Sequence, residues 1–228
     1  ADGHHRYETA LQYRDIQNAR QYGVDGDGLG KGPHNFVMMA LIEIHDPGLL
    51  VLPYHRVIGG LSDAELESLV ALVDDTFELQ TLDVKLDRSE DAIIHLQESL
   101  DSIGVDQVVI GLLEGREGKA SILRLRNPAD ASSPPLERSA THILSRNIIQ
   151  PVLGTQQSAV ERGILHYTHD SQEVRHLLNN GDCQLGFILP QLSLELFEEV
   201  VLSGQRMPIK STYFNPKLPT GLVINRLV

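Results

Sequence analysis

Gln107-Val108-Val109-Ile110-Gly111-Leu112-Leu113-Glu114-Gly115-Arg116-Glu117-Gly118-Lys119-Ala120-Ser121-Ile122-Leu123-Arg124-Leu125 decides the fold class. Two apolar runs, Gln107 to Leu113 and Ala120 to Leu125, flank a turn of glycines and charges, Gly115 to Lys119. Short apolar runs bounded this way read as strands, and the brief connection makes them an antiparallel hairpin. The segments before it are helical. Ser62-Asp63-Ala64-Glu65 carries an N-cap serine with a glutamate three positions on, and Leu66, Leu69, Val70 and Val73 follow as an apolar stripe ending near Phe77. Ser89 to Ile103 repeats the pattern, with Ala92, Ile93, Leu96, Leu100 and Ile103 inward. Helices packed on hairpin strands imply an α+β fold with mixed or antiparallel sheets, not a doubly wound parallel sheet.

Further outward, residues 4–22 read as a helix, with Ala10, Leu11, Tyr13, Ile16 and Ala19 near its period. The glycine-rich stretch Gly23 to His34 lacks the Walker spacing and reads as a surface loop. Phe36 to Ile44 is nearly continuous in apolar residues and predicts a buried strand. His45-Asp46-Pro47-Gly48 would turn it into a second strand, Leu49 to Leu52, ending at Pro53-Tyr54-His55-Arg56. Asn127 to Ser139, rich in proline and serine, marks a linker. The expected organisation is therefore a unit 1–128, a linker 129–141 and a second α+β unit 142–228. In the last, His142 to Ile149 is a helix closed by Pro151 and Gly154. Ile164 to Thr168 and Gln184 to Leu189 are strands, and Ser171 and Ser193 start helices to Leu178 and Leu202. Gly221-Leu222-Val223-Ile224 is a final strand.

The formal charge of −12 argues against nucleic acid and anionic membrane as partners and leaves a small molecule. No apolar run reaches membrane-spanning length. A single cysteine, Cys183, excludes an internal disulfide and a cysteine-rich zinc site and fits a cytoplasmic protein. Oligomeric state is not readable.

Two clusters carry the candidate chemistry. Asp2-Gly3-His4-His5-Arg6 sits at the start of the first helix, where free N–H groups and the dipole favour an anion. The cationic side chains oppose that dipole, a conflict that bound phosphate would relieve; the other reading is a plain Asp2 N-cap with solvated neighbours. Asp2 and His5 are the candidate catalytic groups, and Gly3, His4 and Arg6 candidate cofactor contacts. The second cluster is Met207-Pro208-Ile209-Lys210-Ser211-Thr212-Tyr213-Phe214-Asn215-Pro216-Lys217. Lys210, Ser211, Thr212 and Lys217 combine cations and hydroxyls as phosphate binding does; a rigid loop bonding its own backbone is the alternative. His55 and Arg56, at a strand end, join the cofactor-binding set. For metal, a magnesium ion carried in with a nucleotide needs only one or two carboxylates, and Asp2 is the candidate. His166-x-x-His169-Asp170 spans a strand end and turn and is a weaker metal pattern.

Asp-Gly-His-His-Arg-Tyr-Glu-Thr-Ala from Asp2, Pro53-Tyr54-His55-Arg56, and the Met-Pro-x-Lys-Ser-Thr-Tyr-Phe-x-Pro-Lys run of 207–217 together resemble the domain-of-unknown-function-1015 family. The resemblance implies members longer at the N-terminus, so the chain is expected to be a fragment lacking a strand before Asp2. Asp2 to Arg6 also resembles the Asp-Gly-x-His-Arg signature of ParB/sulfiredoxin-like proteins, which include the free serine kinases. This likeness implies a ParB/sulfiredoxin-like element at the N-terminus, with His5 and Arg6 on nucleotide phosphates and Asp2 assisting a metal or the substrate hydroxyl. The kinases' general-base glutamate comes from an earlier segment. The implied function is phosphoryl transfer from ATP or ADP with Mg2+ to a small hydroxyl-bearing, serine-like metabolite. The alternative is a non-catalytic nucleotide- or phosphate-binding regulatory protein.

Overall fold

The structure is a computed structural model and describes residues 3–23, 30, 32–85, 91–103, 107–130, 132–219 and 221–224. The chain forms two compact units, residues 1–50 with 214–228, and residues 51–213.

In the first unit, α1 runs His4–Tyr22 and stops at Gly23. A 3-10 turn, Pro33–Asn35, docks on it through side-chain amides. Asn18 donates to Asn35 at 2.9 Å and shares a 2.8 Å hydrogen bond with His34 Nε2. Most of the glycine-rich loop, residues 24–29 and 31, lies outside the described residues.

The second unit holds a six-stranded sheet in the order β3-β5-β4-β7-β2-β6. In chain order its strands and helices are β1 (Leu50–Pro53, shared with the first unit), β2 (His55–Ile58), α2 (Asp63–Thr76), β3 (Phe77–Lys85), α3 (Asp91–Ile103), β4 (Val109–Glu114) and β5 (Lys119–Leu125). Then come α4 (Ala140–Ile143), a π-helical turn (Leu144–Ile149), α5 (Gln150–Leu153), α6 (Gln156–Glu161), β6 (Leu165–Thr168), α7 (Ser171–Asn179), β7 (Leu185–Ile188), α8 (Leu194–Leu202) and β8 (Thr212–Asn215, also shared with the first unit). Each neighbouring pair in the large sheet is antiparallel. β1 and β8 form a separate two-stranded sheet.

Side chains alternate across a pleated strand, and here both faces are covered. Ile58, Ile110, Leu112, Leu123 and Phe187 pack with residues of α2 and of the α4–α5 helix. Val57, Val109, Leu113, Ile122 and Ile188 pack with residues of α3 and α7. Burial on both faces explains why these strands read as continuous apolar runs. The α+β class with antiparallel strands packed by helices matches the expectation. So do the β4–β5 hairpin and the Ser62–Glu65 capping box, in which Ser62 Oγ accepts from Glu65 N at 3.3 Å and Glu65 Oε2 from Ser62 N at 2.9 Å.

Several expected elements differ. Phe36 to Ile44 contains no strand and is exposed, Leu41 at 92%. Its expected hairpin with Leu49–Leu52 is absent, because β1 pairs with β8 and both edges of β2 are taken by β6 and β7. β3 was not anticipated. Residues 221–224 are not a strand. Pro151 does not end its helix: the Gln150 N–H reaches Ser145 O, one residue further back than in an α-turn. That wider turn eases the clash between a proline ring and the preceding helical carbonyls, and the helix continues to Gly154 at φ 78°. The helix expected to be capped by Ser171 is capped by Asp170, which accepts from Gln172 N at 2.9 Å. The Ser89 cap lies outside the described residues. The 129–141 stretch lies inside the second unit, where β7, beyond it in sequence, sits between β4 and β2, which precede it.

Close layer packing depends on small residues in β7 and β4. A Cβ on Gly186 would meet Val174 Cγ1 at 2.5 Å and Leu178 Cδ1 at 3.0 Å, forcing α7 outward. Gly186→Ala is expected to destabilise the protein by about 1–3 kcal/mol, measured as a lower urea midpoint at unchanged slope.

Candidate functional site

The register places the site. β2 lies between β7 and β6, with Arg56 opposite Phe187 on one side and Tyr167 on the other. Alternation turns Arg56 to the same face as Ile58, and His55 to the opposite one. Arg56 is fully buried, yet no carboxylate pairs with it among the described residues. Its Cζ sits 5.0 Å from the Tyr167 ring centroid, a cation–π contact across the strands. Nη1 donates to Tyr54 O, and Nη2 donates to Ile209 O at 3.3 Å. Nε is buried with no partner. Burial lowers the guanidinium pKa to about 10, opposed by Tyr167, so the group stays charged at neutral pH.

Arg56 thus ties the 207–211 loop to the central strand. The next residue, Lys210, has φ 57°, a left-handed conformation costly for a residue with a Cβ. Lys210 Nζ lies 4.8 Å from the Tyr54 ring centroid, the side chain is exposed, and it forms no ion pair among the described residues. Ser211 is buried and donates from Oγ to Pro208 O at 2.6 Å, so the self-bonding loop expected as an alternative is present in this hydroxyl. Thr212 opens β8. Tyr213 stacks on His169 with ring centroids 4.2 Å apart, and Tyr54 meets Tyr213 edge-on at 5.6 Å.

His55 is 2% exposed, and its Nδ1 accepts the Leu189 N–H at 3.1 Å, which places the proton of the neutral ring on Nε2. Its pKa falls to about 4, chiefly from burial and then from Arg56; Asp170 opposes and His169 adds to the fall. His55 is therefore neutral at pH 7.

Of the sequence candidates, His55, Arg56, Lys210, Ser211 and Thr212 belong to the second unit, and Arg56 and Lys210 share Tyr54. Gly3, His4, His5, Arg6 and Lys217 belong to the first unit. There Gly3 is the N-cap of α1 at φ 84°, without a side-chain cap. The Arg6 guanidinium folds back so closely that a Cβ on Gly3 would meet Nη2 at 2.5 Å. His4, His5 and Arg6 are exposed, and His5 Nδ1 lies 3.6 Å from Glu8. Asp2, the candidate N-cap, catalytic group and metal ligand, lies outside the described residues. Among the described residues no group of three His, Cys, Asp or Glu side chains could hold a metal ion. Cys183 is buried, and burial raises its thiol pKa, as an inert core cysteine requires. Tyr167 and Gln156 were missed: Tyr167 owes its role to strand register, which no local pattern reveals.

Fold and site together define an α+β protein with a buried arginine that has no carboxylate partner among the described residues and bonds the loop of a left-handed lysine. The chain belongs to the family described as Protein of unknown function (DUF1015), whose model matches residues 1–148. No curated protein matches it. It is similar to a solved conserved hypothetical protein from Pyrococcus furiosus at 16% identity and a TM-score of 0.47, covering 79% of this chain and 62% of that one. It is also similar to a free serine kinase in complex with AMP, at 15% identity, TM-score 0.45 and coverage of 77% and 57%. A mutant free serine kinase in complex with ADP gives 14% identity, TM-score 0.44 and the same coverage. The chain thus spans less than two thirds of these proteins. No helix among the described residues is long and apolar enough to cross a membrane.

His55 makes stability depend on pH. A neutral histidine with a folded pKa of about 4 against about 6.5 unfolded contributes fully above the higher value. The contribution, roughly 3 kcal/mol, is lost as pH falls from 6.5 towards 4, because the unfolded chain then binds the extra proton. His55→Asn keeps an acceptor for Leu189 N without titrating. Urea melts at pH 7 and pH 5 should show a smaller stability loss in the variant than in the wild type.

Proposed function

We propose that the second unit binds the phosphate groups of a nucleotide, and that the full-length protein uses ATP or ADP with Mg2+ to phosphorylate a small hydroxyl-bearing metabolite. The observation that carries the phosphate reading is Arg56: a wholly buried guanidinium with no carboxylate partner among the described residues. An uncompensated buried cation is costly, and an anion held over the adjoining loop offsets part of that cost. Arg56 acts through its field and through its bond to Ile209 O, while exposed Lys210 meets the ligand. Thr212 adds a hydroxyl. His55, neutral and tethered to Leu189, can donate from Nε2 but cannot supply charge.

The nucleotide and the transfer step rest on the Asp2–Arg6 signature and its resemblance to ParB/sulfiredoxin-like kinases. In the first unit, Gly3, His4 and Arg6 are the proposed nucleotide contacts, with the Arg6 guanidinium already drawn over the helix start. His5 and Asp2 are the proposed catalytic groups, Asp2 also the magnesium ligand, and Lys217 a further phosphate contact. A ParB/sulfiredoxin-like element at the N-terminus and a cytoplasmic setting belong to the same proposal. The second reading is a phosphate-binding regulator without turnover, which uses the same residues and predicts binding without phosphate transfer.

Calorimetric titration with ADP and AMP, with and without magnesium, tests the proposal. Saturable binding is expected; no heat with either nucleotide defeats it. Phosphate transfer to a hydroxyl substrate by the full-length protein separates the two readings. Lys210→Asn sharpens the test, since asparagine tolerates φ > 0. Its stability should stay within about 1 kcal/mol of wild type, while nucleotide affinity falls about tenfold or more.

A further inference from the structure

Three rings meet at one end of the large sheet, and the phosphate reading uses only the lysine beside them. β2 and β6 run antiparallel with His55 opposite Thr168. Tyr54 and His169 are therefore the next residues outward on the two strands, and their rings meet edge-on with centroids 6.4 Å apart. β8 brings in Tyr213, which stacks on His169 at 4.2 Å with the ring planes within 7° of parallel. Tyr213 takes one face of the imidazole, and His169 is still exposed. A stacked pair with its outer ring in water is a platform on which another planar ring adds a layer. Packing gains little from placing the pair there, because an exposed stack removes little apolar surface from water. The neighbouring loop is already held through Ile209 O and Ser211 Oγ.

The charges beside these rings give the platform a direction. Lys210 Nζ lies 4.8 Å from the Tyr54 centroid. Asp170, exposed, directly follows His169. An anion is drawn to the lysine and repelled by the aspartate. An anionic group thus belongs at Lys210, and an uncharged planar group at His169. A nucleotide carries both, joined through its sugar. We propose that His169, backed by Tyr213, stacks on the nucleobase of the bound nucleotide, whose phosphates turn towards Lys210. The phosphate half rests on the reading of the Lys210 loop given above; the base half stands on the three rings.

The test compares ADP, inorganic pyrophosphate and adenosine as ligands of the whole chain, by calorimetry for the first two and by saturation-transfer NMR on the adenine protons for the third. His169→Ala is expected to weaken ADP and adenosine about tenfold and to leave pyrophosphate unchanged, a selectivity that loss of packing alone would not produce. His169→Phe, which keeps a stacking ring, should retain the ADP affinity. Lys210→Asn should weaken ADP and pyrophosphate and leave adenosine unchanged. Pyrophosphate binding together with an ADP affinity that His169→Ala does not alter overturns the base site alone. His169-dependent adenosine binding without any pyrophosphate binding supports the base site and defeats the phosphate reading. No adenosine contact with the wild type overturns the base site. If His169→Ala does not melt cooperatively, nuclear Overhauser contacts between the adenine and His169 ring protons of the wild type decide: their presence supports the stack and their absence overturns it.

Discussion

A charge buried in the middle of a sheet is the constraint on which the second unit depends. Arg56 lies in a strand flanked on both sides, so it cannot reach water by bending outward, and it has no carboxylate among the described residues to neutralise it. It is accommodated by two backbone carbonyls and an aromatic face. Each of those partners is thereby fixed. Tyr54 O and Ile209 O join the end of β1 to a loop more than 150 residues away in sequence. Tyr167, held under the guanidinium, donates its hydroxyl to Gln156 Oε1 at 3.0 Å. Gln156 donates to Ser145, and Ser145 donates to Thr141 O at 2.7 Å. A continuous polar path therefore runs from the central strand to the irregular helix. The Ser145 hydroxyl bond to the preceding turn, at the start of the π-helical turn, is of the kind that bends helices.

The sequence disclosed those parts of the fold whose signals are local. The capping box at Ser62 and the hairpin at Gly115–Lys119 depend on residues within a few positions of one another, and both formed as read. Phe36–Ile44 misled because an apolar run states only that burial is sought; a strand also needs a ladder partner, and that is a property of distant chain. Pro151 misled for the converse reason: the usual stop signal assumes α-helical spacing, and the wider turn before it removes the conflict. In the site, the motif residues His55, Arg56 and Lys210 were legible by type. Their roles were not. Arg56 and His55 were read together as cofactor-binding residues at a strand end; the structure buries both and turns them to opposite faces of the sheet. Only the strand register separates those roles.

The positions that are costly for folding concentrate in this region. Among the described residues a cation is buried without a counter-charge and its Nε lacks a partner, and the lysine that follows its carbonyl acceptor takes a left-handed backbone. Each is unfavourable by itself, and a sequence selected for stability alone would replace Arg56 with an apolar residue and Lys210 with glycine. The rest of the second unit shows that apolar strand residues fit this sheet well: Val57 and Ile58, the next two residues of the same strand, are completely buried. Local cost amid otherwise consistent packing is the pattern expected where function sets the residue. A purely structural role for Arg56 would account for its bonds to Tyr54 O and Ile209 O. Those bonds do not themselves require an exposed lysine in a left-handed conformation on the same loop, with its ammonium over the Tyr54 ring. The left-handed backbone at Lys210 is therefore the feature on which the proposed binding role of this loop rests, beyond the structural tie that Arg56 already makes.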